Sequence, residues 1–181
     1  MNTWKKTQSR PVATLKEGAI VAKFDDFQFD LETGRIFGYR LKGQGVFSRS
    51  GGVAAANLSL IGNDLVFIRQ ESDIEWTSEK RNPEDGRAWA SQWCGKTRVI
   101  TRRGANLGEI EDLVIEAAPP KVLALILDNS RMLKMGDGKV TIGRDAVVIE
   151  DPTAVLPMPD DETQEDWWDK VKDVFSRDDS K

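Results

Sequence analysis

The stretch VTIGRDAVVIE, residues 140–150, predicts a strand, a tight turn and a second strand, because apolar residues alternate on both sides of a Gly-x-Asp break. A looser version of it, LSLIGNDLVFI, occupies residues 58–68. Both stretches contain the pattern I-G-x-D-x-V-x-I. A repeated element of this kind indicates a repeated domain and not one continuous enzyme core.

The repeat extends upstream of these hairpins. In the register that aligns Gly18 with Gly104, the chain matches itself without a gap as far as Phe47. Within this match RIFGYRL superposes on KVLALIL, and the large apolar residues recur at every second position, which sends them to one face of a strand. A first-copy insertion around SRSGGVAAA then precedes the hairpin of Gly62, which aligns with the hairpin of Gly143 in the second copy. We expect this insertion to form a loop.

Strand patterns dominate each copy, with breaks at Gly, Asn, Asp and Pro and no long helical pattern. An all-β fold of two tandem small barrels is the economical prediction, because closure removes unpaired strand edges. The predicted divisions are an N-terminal segment (1–11), a first barrel (12–76), a linker (77–95), a second barrel (96–156) and an acidic tail with an amphipathic helix (157–181).

The predicted linker carries two large aromatic residues. A short helix opening at Pro83 fits its sequence. Trp89 and Trp93 are expected to pack the two barrels against each other, since aromatic side chains bury much area. The alternative that stays open is an exposed aromatic docking site.

The composition excludes much catalytic chemistry. The chain has no histidine, and Cys94 is its single cysteine, so a histidine base, a disulfide within the chain and a thiolate metal cluster are all excluded. We therefore expect no catalytic residue, cofactor or metal site, and no enzyme activity. The N-terminus has no apolar signal-peptide core, and no run approaches the roughly 18 apolar residues of a membrane span. We expect a cytoplasmic protein with no transmembrane segment.

Three stretches carry a family resemblance: NLGEIEDLVIE at 106–116, KVLALILDN at 121–129 and VTIGRDAVVI at 140–149. Together they resemble the PRC-barrel family, the small β-barrel of the photosynthetic reaction-centre H subunit. They are also similar to the C-terminal barrel of the bacterial 16S ribosomal RNA maturation factor. In the first copy the glycine before the first acidic strand is replaced, with Lys23 or Asp25 nearby. The motif positions, which the resemblance implies are structural, are Gly62, Asp64, Gly108, Asp112, Gly143 and Asp145.

The resemblance implies a non-catalytic module for protein interaction or complex assembly. We expect a protein partner whose identity the sequence does not give, and self-association into a homo-oligomer stays open. One alternative is an RNA- or ribosome-associated maturation factor, which requires a contiguous basic face. Another is a soluble helper of a photosynthetic or other membrane electron-transfer complex, which requires attachment through a partner.

The carboxylates form the first set of charged residues that could form a functional site. For Asp64 and Asp145, each in a hairpin turn, we expect the side chain to accept backbone hydrogen bonds. For seven other carboxylates, strand alternation predicts a position on the solvated face or at turns. These seven are Asp25, Asp26, Asp30, Glu109, Glu111, Asp112 and Glu116.

Nucleic-acid binding stays open through eight basic residues, for which a solvated face is the simpler expectation. They are Arg35, Arg40, Lys42, Arg49, Lys96, Arg98, Arg102 and Arg103.

The acidic tail contains an apolar stripe. Three- and four-residue spacings place five residues on one side of a predicted helix, namely Trp167, Trp168, Val171, Val174 and Phe175. A helix of about a dozen residues is marginal alone in water, so this stripe needs a surface to pack on. Two hypotheses stay open: the helix caps a barrel of its own chain, or it is a candidate partner-binding segment for another protein.

Overall fold

The structure, a computed structural model, describes residues 2–44, 49–77, 86–135, 140–143 and 145–158. This part of the chain is all-β, with two helices of one turn each, α1 (Trp4–Thr7) and α2 (Ala90–Trp93). The strands of the first half are β1 (Pro11–Thr14), β2 (Ile20–Asp30), β3 (Ile36–Gly43), β4 (Ser50–Ala54), β5 (Leu58–Ile61), β6 (Val66–Ile68) and β7 (Glu75–Thr77). The second half contains β8 (Arg87–Trp89), β9 (Arg98–Thr101), β10 (Asn106–Ala117), β11 (Pro120–Leu127), β12 (Arg131–Lys134), β13 (Val140–Ile142), β14 (Ala146–Ile149) and β15 (Val155–Pro157).

The two halves have the same topology. The first sheet runs in the order β5-β6-β1-β2-β3-β4-β7, and the second in the order β13-β14-β9-β10-β11-β12-β15. The parallel pairing of β1 with β6 is repeated by β9 with β14. The prediction of an all-β fold with two barrel-like units is therefore confirmed. Equivalent positions lie 86 residues apart up to β3 and β11, except in β1 and β9 and just after them, where Val12 matches Val99 and Leu15 matches Arg102, 87 residues apart; in the hairpins that contain Gly62 and Gly143 they lie 81 apart.

The first-copy insertion does not form a loop as expected. Residues 50–54 form strand β4, which pairs with β3 and with β7. Gly51 is needed there, because a Cβ at that position would lie 2.6 Å from Ile74 Cγ2 and 2.9 Å from Trp76 Cε3. Gly51, which suggested a loop, instead lets large side chains pack against the strand.

Both long strands are interrupted by β-bulges. In β2 the register shifts between Phe24 and Asp26, and in β10 it shifts between Ile110 and Asp112. A bulge adds a residue to one strand and re-aims the side chain beside it. Each bulge here directs the side chain of an aspartate, Asp26 or Asp112, toward the protein interior.

The two halves exchange their leading segments. Thr3, ahead of α1, bridges Val114 of β10, and the equivalent Trp89, ahead of α2, pairs with Gln28 of β2. The residues that follow each helix are bonded to the half that the helix leads. After α1, Ser9 N–H donates to Phe24 O of β2 at 2.8 Å, and after α2, the equivalent Gly95 N–H donates to Ile110 O of β10 at 2.7 Å. The contact that the first half makes with the second is therefore repeated, at equivalent residues, by the second half with the first. Such reciprocal contacts indicate an approximate two-fold axis within one chain.

A further contact lies near this axis. Arg35 forms an isolated antiparallel bridge with its own equivalent, Lys121, and Val122 N–H donates to Gly34 O at 2.8 Å. Buried apolar side chains from both halves form one continuous cluster. The two barrel-like units therefore share a core.

The segment predicted as a linker contributes to that core. Pro83 lies outside the described residues, and the helix observed is α2, which begins at Ala90. Trp93 is buried, with its ring 5.4 Å from that of Phe29. Trp89 instead lies on the outer side, where the Arg40 guanidinium is 4.7 Å from its ring centre.

Candidate functional site

Asp26 is the most completely enclosed carboxylate of the described residues. Its Oδ1 accepts the N–H groups of Phe27 and Ser91, at 2.9 and 3.2 Å. Its Oδ2 accepts the Ser91 hydroxyl and lies 3.0 Å from Nη2 of Arg40, which also pairs with Asp25. Burial raises the pKa of Asp26 above its ordinary value, while the hydrogen bond from Ser91 and the charge of Arg40 oppose this rise.

Asp112 repeats this arrangement in the second half. Its Oδ1 accepts the N–H of Leu113 at 2.8 Å and that of Lys5, in α1, at 3.0 Å. Lys5 also reaches the neighbouring Glu111, with Nζ 2.8 Å from Oε1. Each buried aspartate therefore holds the first turn of the helix that leads the other half. We name this pair, Asp26 and Asp112, the aspartate latches.

The expectation that these two carboxylates lie on a solvated face is wrong. Asp26 is 0% exposed and Asp112 is 8% exposed, because the bulges turn both residues inward. Asp30 does lie at a turn, where its Oδ1 accepts the N–H of Thr33 at 2.7 Å. Strand alternation could not reveal the latches, since each bulge shifts the alternation by one residue.

The hairpins of Gly62 and Gly143 have the same geometry. Gly62 N–H donates to Leu65 O and Gly143 N–H donates to Ala146 O, both at 2.9 Å. A Cβ at either glycine would lie within about 3.2 Å of that same carbonyl oxygen. Within the described residues, the exposed carboxylates that follow, of Asp64 and Asp145, accept no hydrogen bond. These turns are closed by the backbone and not by the expected side-chain bonds.

Gly108 is also structural. Its φ is +133°, and a Cβ there would lie 2.6 Å from Oδ1 of Asp128, the same atom that accepts the N–H of Glu109 at 3.1 Å. The equivalent residue in the first half is Ala22, which is fully buried. The first-copy residue at the position of this glycine is therefore Ala22, next to Lys23 and three residues before Asp25.

Half of the candidate basic residues are paired with carboxylates. Arg40 and Lys42 both approach Asp25, and the other two pairs are Arg98 with Glu109 at 3.3 Å and Arg102 with Glu150 at 2.7 Å. Such pairs reduce the positive potential available to phosphate groups.

Of the other candidate basic residues, Arg35 lines a cleft of about 670 Å³ between the halves. The Phe37 ring lies there beneath the guanidinium groups of Arg35 and Arg87, at 5.3 and 3.7 Å. Lys121 lines the same cleft, but it lies opposite Glu116 in the β10–β11 ladder. The nearby carboxylate of Glu116 therefore reduces the positive potential that Lys121 offers there.

Exposed apolar side chains distinguish the first half from the second. Leu15, Ile20 and Leu60 are 59%, 54% and 53% exposed, and all lie in the connected strands β5, β6, β1 and β2 or the hairpin between the last two. Their equivalents in the second half are polar, namely Arg102, Asn106 and Thr141. We name Leu15, Ile20 and Leu60 the first-half apolar set.

A groove of about 240 Å³ marks the second half. Its lining includes Ile126, Leu127 and Met158, with Thr3 and Lys6 beside them. Ile126 belongs to a cluster on the outer face of β10, β11 and β12 that is separate from the shared core. We name this feature the outer groove.

The predicted partner-binding residues Trp167, Trp168, Val171, Val174 and Phe175 lie outside the described residues. Across the described ranges, no group of three or more Cys, Asp or Glu side chains is arranged to hold a metal ion. In the same ranges, no helix has both the length and the apolar character needed to cross a membrane.

Comparison with known families identifies the second half. The family model of the PRC-barrel domain matches residues 92–161, so this part of the chain is similar to that domain. The first half is similar to that domain in strand order and in its aspartate latch. No curated protein matches the chain.

Proposed function

We propose that this protein is a non-catalytic interaction module that supports assembly of a protein complex. The first-half apolar set carries the proposal. Single exposed apolar residues are common on protein surfaces, but here the second half supplies an internal reference in which the same three positions are polar. The two copies differ at a place where a shared fold imposes no difference, which favours a binding role for the first half.

Non-catalytic action is part of this proposal. The buried carboxylates among the described residues are the two aspartate latches, and their oxygens accept hydrogen bonds from the backbone of α1 and α2. These contacts give both carboxylates a structural task. We further propose a cytoplasmic location, since a chain whose single cysteine is a free thiol suits a reducing compartment.

The test is native co-purification of the tagged full-length protein from its own cells. The informative variant is Leu15→Arg/Ile20→Asn, which gives the first half the residues of the second. Leu156→Thr, at an exposed leucine of β15, is the matched control. We expect a protein that is recovered in fixed ratio with wild type and Leu156→Thr, and is lost with the double variant.

The proposal is overturned if no protein is recovered in fixed ratio, or if recovery is unchanged in the double variant. Nuclease treatment tests the RNA-associated alternative, which the cleft around Phe37 favours through its stacked guanidinium groups. Recovery of ribosomal proteins or RNA that nuclease abolishes, and that Phe37→Ala reduces, would establish that alternative instead.

A further inference from the structure

The outer groove lies where the internal symmetry fails. In the first half, the Trp89 ring lies against the Arg40 guanidinium and covers the outer face of the sheet. In the second half the equivalent positions hold Thr3 and Ile126. A small residue replaces the indole and an apolar residue replaces the cation, and both Thr3 and Ile126 line the groove.

Beside the groove, the outer face around Ile126 is apolar. Val114, Ala124 and Met132 belong to the same outer cluster, and Met158 packs against it. Two of the first-half equivalents, Gln28 and Gly38, offer no comparable surface. The second half therefore has an outer face suited to a large apolar side chain, at the site where the first half already has one.

The chain itself leads into this groove. Met158 is the last described residue, it lines the groove, and its N–H donates to Ser130 O at 2.8 Å. Trp167 follows it by nine residues, which extend at most about 30 Å, so the tail can reach every part of the face. The tail is also the one part of the chain that carries two adjacent tryptophans.

The groove is lined by charges of both signs, with Glu111 and Asp112 opposite Lys5 and Lys6. Lys5 is paired with Glu111, while the exposed Lys6 has no carboxylate partner among the residues that the structure describes. Before its tryptophans the tail carries only acids among its charged residues, namely Asp160, Asp161, Glu162, Glu165 and Asp166. Any of these acids that approached the groove beside Lys6 would be attracted by its positive charge.

We propose that the C-terminal segment docks in the outer groove of its own chain. Trp167 and Trp168 supply there the indole that Trp89 supplies in the first half. The remaining apolar stripe, Val171, Val174 and Phe175, extends along the outer face. This inference is independent of the first-half apolar set, which lies on other strands and stays open to a partner.

Hydrogen–deuterium exchange of the full-length protein tests this docking through peptides that cover residues 159–181. We expect amides around 165–175 to exchange at least about tenfold more slowly than unstructured backbone. Ile126→Arg, which introduces the first-half residue into the groove, should abolish this protection while amides of β10 and β11 stay protected. Leu60→Arg, a similar change at an exposed leucine outside the groove, should leave the tail protected.

A second variant keeps the test decisive if Ile126→Arg disturbs the barrel. Lys6→Glu changes an exposed side chain at the rim, and we expect it to reduce tail protection at low salt. A tail that is unprotected in wild type, or equally protected in every variant, overturns the proposal. Protection that rises with protein concentration also overturns it, because the tail would then dock on a second copy.

Discussion

Asp26 and Asp112 perform the same task on opposite halves of the molecule. Asp26 accepts the backbone N–H of Ser91 at 3.2 Å, and Asp112 accepts that of the equivalent Lys5 at 3.0 Å. Each contact joins a bulged strand of one half to the helix that leads the other half. The reciprocity of these two hydrogen bonds defines the architecture more directly than either sheet does.

Removing a latch should destabilise the whole chain. Asp112→Ala leaves the N–H groups of Lys5 and Leu113 without their acceptor, so we expect a loss of about 2 kcal/mol. Asp26→Ala also strips one carboxylate from the half-buried Arg40, and we expect about 3 kcal/mol. Urea unfolding measures both values. The exposed Asp64→Ala should change stability little, and an equal loss in all three variants would argue against the latches.

The pH dependence of stability should report the environment of Asp26. Burial raises its pKa above the ordinary value of 3.8, against the hydrogen bond from Ser91 and the charge of Arg40. A carboxyl with a raised pKa binds its proton more tightly in the folded state, so its contribution to stability is full below the unfolded value and falls as pH rises through the folded pKa. The unfolding free energy of wild type minus that of Asp26→Asn should therefore decrease from about pH 4 to neutral pH.

Urea unfolding of both proteins across this range provides the measurement, since the contributions of the remaining groups largely cancel in the difference. A difference that instead grows with pH would mean that the Arg40 charge outweighs burial and lowers the pKa of Asp26.

The Cys94 thiol should be inert in the folded protein. Burial raises its pKa, and the charges of Asp112 and Asp26 raise it further, so little thiolate forms at neutral pH. We expect an aromatic disulfide reagent to react with native protein at least about tenfold more slowly than with the urea-unfolded chain. If Asp26→Asn or Asp112→Asn speeds the reaction without global unfolding, the two carboxylates are confirmed as neighbours of the thiol. Equal rates for native and unfolded wild type would contradict its burial.

Gly34 should be intolerant of any side chain. Its φ is +72°, and a Cβ there would lie 2.7 Å from Val122 O and 2.9 Å from Met135 Cγ, both in the other half. We expect Gly34→Ala to lower stability by more than about 2 kcal/mol. Gly18 is the control, because its φ is +65° but nothing lies within 4 Å of the added Cβ. Thermal unfolding of both variants separates backbone strain from the clash between the halves, and similar losses would rule out the clash.

The sequence predicted the repeated β-units because their signals are local. Period-2 alternation in β3 and β11 and the Gly-x-Asp hairpins each depend on neighbouring residues alone. The insertion was misjudged for the same reason, since Gly51 and Gly52 signal a loop locally while Ile74 and Trp76 make Gly51 a strand residue.

The exchange of leading segments had no comparable signal. The helices α1 and α2 have four residues each, too few for a helical period, and their sequences WKKT and ASQW have no identical residue at equivalent positions. Only the three-dimensional contacts reveal that Lys5 and Ser91 are equivalent. The outer groove was hidden likewise, because it depends on comparing Thr3 with Trp89, and residues before Gly18 had no visible alignment.

The exchange of leading segments between the two halves also determines the order in which their contacts form during synthesis of the chain. The first sheet lacks its partner helix until α2 emerges at residues 90–93, and α1, among the first residues synthesised, has no strand to join until β10 ends at residue 117. A first half that is still attached to the ribosome therefore lacks the contacts that the second half makes with α1 and β2. These contacts form only after β10 has been synthesised, so each half depends on the other to complete its fold.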